Sequence, residues 1–150
     1  MTDTPGALSF GELIDVDIVA IHADTRNPRD KIDQSATDND AGMGFIGIEY
    51  NSEMGALRFL FEAYANSTQG YVSATVAPVF GMTETGLTSI SNKALDSFLN
   101  EVAAPTALPY LRLELADASR RVFSEPVTLP LAPKHGFSFS ARIRNEPSDS

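Results

Sequence analysis

Two copies of one alternation, separated by a tight polar turn, limit what this chain can fold into. From Ala56 to Ser67, Leu57, Phe59, Phe61 and Ala63 alternate with Arg58, Leu60, Glu62 and Tyr64. From Tyr71 to Gly81, Val72, Ala74 and Val76 alternate with Tyr71, Ser73 and Thr75. A period of two puts each set on one face of an extended strand, and the intervening Asn-Ser-Thr-Gln-Gly turns the chain back on itself. Pro78 supplies no N–H to a ladder, so it predicts a bulge or an edge position. Just upstream, Gly44–Asn51 has strand composition and is joined by Ser-Glu-Met-Gly, a turn ending in glycine. Three strands with two short turns make an antiparallel meander.

A longer strand precedes them, from Leu8 to Asp24. Strict alternation places Ile14, Val16, Ile18 and Ala20 on one face and Asp15, Asp17, Val19 and Ile21 on the other. The stretch that follows, TRNPRDKIDQSATDNDAG, is polar and aperiodic. A connection of that length lets the first strand return beside the meander as a Greek key.

After Gly81 the period changes. Ser91 or Asn92 can cap a helix through NKALDSFLNEVAA, which Pro105 is expected to stop; its apolar stripe is Leu95, Phe98, Leu99 and Val102. Thr106 is expected to cap a second helix with Pro109 in its first turn. There Leu108, Leu111, Leu115, Ala118 and Val122 recur at spacings of 3, 4, 3 and 4, which is one face of a helix. The proline-rich SEPVTLPLAP should run extended. Residues 1–135 then form one α+β domain, a four-stranded antiparallel Greek-key sheet followed by two amphipathic helices. Residues 136–150 are expected as a C-terminal tail, in which Phe137, Phe139 and Ile143 alternate with polar residues. The first helix's stripe has two readings: it packs on its own sheet, or it forms an oligomer seam through Leu95, Phe98, Leu99 and Val102.

Composition narrows the function classes. The chain of 150 residues carries a net charge of −9. Residues 1–105 hold 15 acids against 5 bases, and residues 106–150 hold 5 acids against 6 bases. An acidic body repels nucleic-acid phosphates and suits either solubility or a basic protein partner. With no cysteine, disulfides, thiolate chemistry and cysteine-held zinc are out. The first ten residues lack the basic start and apolar core of a secretory signal. No apolar run approaches the ~18 residues of a spanning helix. Together these set a cytoplasmic, non-membrane expectation.

The ordered set from YVSATVAPVFGM through LPYLRLELADASRRVFSEPVTLPLAP resembles the SecB family of export chaperones. Its carriers are Leu108, Pro109 and Tyr110 opening a helix, then Leu129, Leu131, Ala132 and Pro133, with Val79 and Phe80 closing the strand upstream. The resemblance covers about residues 8–133. It implies a homotetramer that holds unfolded polypeptides in apolar grooves without ATP, cofactor or metal. Candidate groove residues are Tyr71, Val72, Ala74 and Val76 on the fourth strand and Leu111 and Leu115 on the second helix, although some of these must be core. The family's contact with the SecA motor uses acids on the first and fourth strands. Asp17, beside Asp15, matches the first of these, whereas Ile21 and Ser73 stand where further acids are expected. SecB-like proteins dedicated to an antitoxin offer the other partner.

An enzyme acting on a small ligand on the same sheet is the alternative class. Asp15 and Asp17 would be its carboxylate pair, and a solvated or interface face is their plainer use. His22 and His135 are far apart in sequence, which gives little support to a metal or acid–base pair. Gly-Met-Gly-Phe-Ile-Gly leads into a strand, not from strand to helix as a phosphate loop does. Arg120 and Arg121 suit the end of the second helix, where cations complement its dipole.

Overall fold

The computed structural model describes residues 10–25, 40–67, 69–123, 127, 129, 133 and 136–142. Among the described residues there are four strands: β1 (Phe10–Thr25), β2 (Asp40–Asn51), β3 (Ala56–Ser67) and β4 (Gly70–Met82). All pairings are antiparallel and the sheet order is β1-β4-β3-β2. This is the expected Greek key, with the first strand laid beside the last strand of the meander. The β2–β3 turn is closed by Asn51, whose Oδ1 accepts from the N–H groups of Glu53 and Met54. Gly55 ends that turn at φ 61°, a left-handed conformation costly for any residue with a Cβ. At Gly70 the reason for glycine is space, because a Cβ would collide with the Asp24 carbonyl and a Val122 methyl.

The sheet departs from strict alternation, with register shifts near Leu13 and after Ile18 in β1 and after Phe45 in β2. β1 carries a bulge between Ile18 and Ala20: Ile18 opposes Val76, but Ala20 opposes Thr75 and Ile21 opposes Ala74. The extra residue inverts the parity. Ile21 therefore shares a face with Val16 and Ile18, while Ala20 and His22 join Asp15 and Asp17. Pro78 sits in a central strand and not at an edge. Opposite it, Phe59 and Leu60 are absent from an otherwise regular β3–β4 register, as expected where the N–H is missing.

One face of the sheet is covered by helix. A short helix, α1 (Glu84–Ser89), is capped by Thr83, and α2 (Asn92–Phe98) by Ser91, whose Oγ accepts from the Ala94 N–H. The chain does not break at Pro105. A π turn (Leu99–Ala103) joins α2 directly to α3 (Ala104–Ser119), and Ala104 donates to the Leu99 carbonyl five residues back. Pro105 lies in the first turn of α3, where its missing N–H is tolerated. Thr106 caps nothing; its hydroxyl donates to the Val102 carbonyl at 2.7 Å. The extra residue in the π turn rotates the later stripe into register with the earlier one. As a result Leu95, Leu99, Ala103, Ala104, Ala107, Leu111, Leu115 and Ala118 all face the sheet and are buried.

The core between helix and sheet is aromatic. Phe59 and Phe61, both inaccessible, each anchor a cluster. Phe98 stacks on Phe10 at 3.8 Å and meets Phe80 edge-on at 4.8 Å, with Phe59 alongside at 5.7 Å. Phe61 gathers Phe45 at 5.2 Å and Phe139 at 5.9 Å. Phe139 belongs to the segment expected as a tail. Residues 136–142 instead lie against the core, with Ala141 buried and Phe137 and Phe139 half-buried. Burial of these rings outweighs the chain entropy a free end would keep. Ile143 and the rest of 143–150 fall outside the described residues, as do Leu131 and Ala132, whereas Leu129 reaches the core.

Phe98→Ala should therefore cost about 3 kcal/mol of stability, since it opens a cavity among Phe10, Phe59 and Phe80. Leu113→Ala, at a side chain 64% exposed on the opposite side of the helix, should change stability by less than about 0.5 kcal/mol. Urea denaturation at one fixed protein concentration measures both.

Candidate functional site

The outer face of the sheet carries the charge. Asp15 and Asp17 oppose Val79 and Ala77, on the face away from the helix. Arg58 on β3 opposes Glu49 on β2. The Arg58 guanidinium reaches in both directions, with Nη1 on Asp17 Oδ2 at 3.1 Å and Nη2 on Glu49 Oε1 at 2.6 Å. The hydrogen bond to Glu49, followed by the contacts to Asp17, raises the Arg58 pKa above its ordinary value. All three groups are a third or more exposed, so water screens the network and it adds little stability. Its effect is on surface charge: one cation sits between two of the acids a basic partner would meet. Asp15 lies outside this network and accepts from the Val16 N–H at 2.8 Å. Ser73 is buried between His22 and Tyr64 on the neighbouring strands.

Half of the exposed large apolar side chains among the described residues lie on β1. Leu13, Ile14, Ile18, Val19 and Ile21 are between 40% and 54% exposed. No strand among the described residues pairs with the outer edge of β1. The helix reaches Phe10 and Val16 but leaves the rest of the strand uncovered. Val102, Tyr110 and Leu113 form a second exposed apolar line on the outward side of the helix.

The residues expected at sites are distributed differently from the sequence expectation. Val72, Ala74, Val76, Leu111 and Leu115 are at most 1% exposed. They pack sheet against helix, and a bound polypeptide could touch them only if the helix lifted away. Tyr71 alone of that set is half-exposed. Leu95 and Leu99 are fully buried, and Phe98 stacks inside the chain's own aromatic cluster. The first helix's stripe thus faces its own sheet, which leaves only Val102 for an external contact. The reason is geometric: a period of 3.6 defines a face but not what covers it.

Chemistry of other kinds finds little here. Among the described residues no three His, Cys, Asp or Glu side chains come together as metal ligands. His22 is exposed, 6.2 Å from the Tyr71 ring, and His135 lies outside the described residues. The glycine-rich run lies within β2, where Gly42 is covered by the Tyr64 ring. The carboxylates that converge do so on an open sheet face with an arginine between them, which is not the closed pocket an enzyme reading calls for. Among the described residues no helix is long and apolar enough to cross a membrane.

The sequence reading missed a pair of polar residues on the helix. Asn100, in the π turn, accepts the Phe139 N–H at 2.7 Å through Oδ1 and donates to the Phe139 carbonyl at 2.8 Å through Nδ2. One turn earlier, Asp96 accepts the Ala141 N–H at 3.0 Å and pairs with Arg142. Both are ordinary polar residues flanking an apolar stripe, and no local pattern distinguishes them.

No family model matches the chain, and no curated protein matches it. Among solved structures it is similar to the Mycobacterium tuberculosis Rv1957 SecB-like chaperone, determined in complex with a ChAD peptide from the Rv1956 HigA1 antitoxin. The TM-score is 0.57 at 14% identity, over 87% of this chain and 97% of that one. At that identity the likeness is one of fold: the chain has a SecB-like α+β fold.

Proposed function

We propose that this chain is an ATP-independent holdase, which keeps an unfolded polypeptide from aggregating by covering its apolar segments. The observation that carries the reading is the apolar edge strand. Soluble monomers rarely leave a row such as Leu13, Ile14, Ile18, Val19 and Ile21 open on a strand whose outer edge pairs with no described strand. On a SecB-like fold this row fits assembly into a homotetramer, with Val102 as a further contact. Tyr71 and the exposed line of Tyr110 and Leu113 remain for client contact. Holding needs neither nucleotide nor metal, since removal of apolar surface from water supplies the free energy. We place the protein in the cytoplasm.

For the partner, an antitoxin is favoured over hand-over of preproteins to SecA. The similar structure holds an antitoxin peptide. Here Ile21 and Ser73 replace acids that a motor contact would use, and Arg58 engages Asp17. Asp15 and Asp17 are the residues a basic partner would approach.

A denatured client should stay soluble with this protein at several-fold molar excess and no nucleotide; aggregation unchanged across several clients, an antitoxin included, would sink the reading. Light scattering at micromolar concentration should give four times the 16.1 kDa chain mass, and a mass of one chain would overturn the assembly. Ile18→Glu should lower that mass while leaving the circular dichroism of each chain intact, because a carboxylate buried in an apolar seam is costly. SecA should bind weakly, and Arg58→Ala, by freeing Asp17 and Glu49, should strengthen that binding most at low salt, where exposed charges are least screened. Tight, salt-independent SecA binding by the unmodified protein would contradict the electrostatic argument.

A further inference from the structure

We propose that the groove between the π turn and the β2–β3 face is a site for one extended polypeptide segment carrying aromatic side chains at alternate positions. Residues 136–142 of the chain itself fill this site until a client displaces them. The inference deepens the holdase reading and rests on it for the identity of the client.

The groove reads main chain. Asn100 bonds both the N–H and the C=O of Phe139, and Asp96 takes the N–H of Ala141. None of these three bonds involves the side chain of the residue held, so another extended segment could make them equally well. Asn100 is itself oriented by a bond from Nδ2 to the Asp96 carbonyl at 3.0 Å. Apolar side-chain contact falls at alternate positions, with the Arg142–Asp96 ion pair beside it. Phe139 lies on Phe45 and Phe61, Phe137 stacks on Phe139, and Ala141 is buried, while Ser138 and Ser140 are exposed. A small ligand would not need this repeat, whereas an extended polypeptide provides it every second residue.

The hold is also suited to release. Residues 136–142 join no strand of the sheet, so no ladder fixes them. Beside them an open cleft of about 560 Å³, lined by Asn92, Lys93, Asp96, Asn100, Phe137 and Arg142, gives access from solvent. Being tethered, the segment has an effective concentration on the order of millimolar. A long client that also contacts the protein elsewhere can outcompete it, and a short free peptide cannot.

The test uses the full-length chain and a fluorescent peptide of the sequence Gly-Phe-Ser-Phe-Ser-Ala-Arg, a copy of residues 136–142. Phe139→Ser, which loosens the internal segment, should bind this peptide at least about fivefold more tightly than the unmodified protein. Adding Asn100→Leu should abolish the gain. Equal affinity for the unmodified and Phe139→Ser proteins overturns the proposal. In the unmodified protein, a denatured client should remove the hydrogen-exchange protection of the Phe139 and Ala141 amides; this arm decides alone if Phe139→Ser does not fold. A client kept from aggregating with that protection intact overturns the proposal and leaves the holdase reading standing. If the peptide binds Phe139→Ser but no client is held or displaces anything, the holdase reading and the displacement step both fall.

Discussion

Phe59 and Phe61, two residues apart on β3 and both inaccessible to solvent, are the constraint on which the other elements depend. Their rings project from the same face of a central strand, and rings from α2, β1, β2, β4 and the C-terminal segment meet them. Phe98 of α2 and Phe10 of β1 close on Phe59. Phe45 of β2 and Phe139 of the C-terminal segment close on Phe61. A large ring buries far more surface than the alanines that flank the pair on β3 and the helix. Small residues at Ala63, Ala65, Ala103, Ala104 and Ala107 let the helix backbone come close to the sheet, so that the rings interdigitate instead of holding the layers apart.

That arrangement satisfies one face of three strands and leaves the fourth strand incomplete. β1 is longer than the helix can cover, and its apolar residues stay open on both sides of a bulge. The outer face is acidic but partly compensated, with Arg58 between Asp17 and Glu49. An uncovered apolar edge and a carboxylate-rich face, of opposite chemical kinds, thus lie on the same strand. The period of two separates Asp15 and Asp17 from Val16 and Ile18, and the bulge after Ile18 returns Ile21 to the face of Val16 and Ile18.

The element types were legible in the residues. Strand β3 followed from Leu57, Phe59, Phe61 and Ala63, the turn from Gly55, the Greek key from a long polar stretch before a tight meander, and the α2 cap from Ser91. What failed to show was the coupling between elements. Pro105 suggests a helix end, because locally it removes a donor; in the folded chain a π turn absorbs it and one helix continues. Leu95, Phe98 and Leu99 form a stripe equally suited to a sheet or a second copy, and Val72, Val76, Leu111 and Leu115 one equally suited to a core or a groove. Asn100 and Asp96 carry no local signal, since their partners lie about 40 residues away in sequence.

The sequence by itself determined which segments are extended, which is helical and how they succeed one another, because the periods of 2 and 3.6 are properties of the local backbone. It also determined the acidic character of the body and the absence of thiol chemistry. Only the tertiary structure decided which apolar surfaces are used up internally, where an extra residue after Ile18 inverts the faces of β1, and that residues 136–142 are held by the helix. Those outcomes depend on which surfaces long-range folding brings together, and a residue's burial is a property of its neighbours in space, not of its neighbours in the chain.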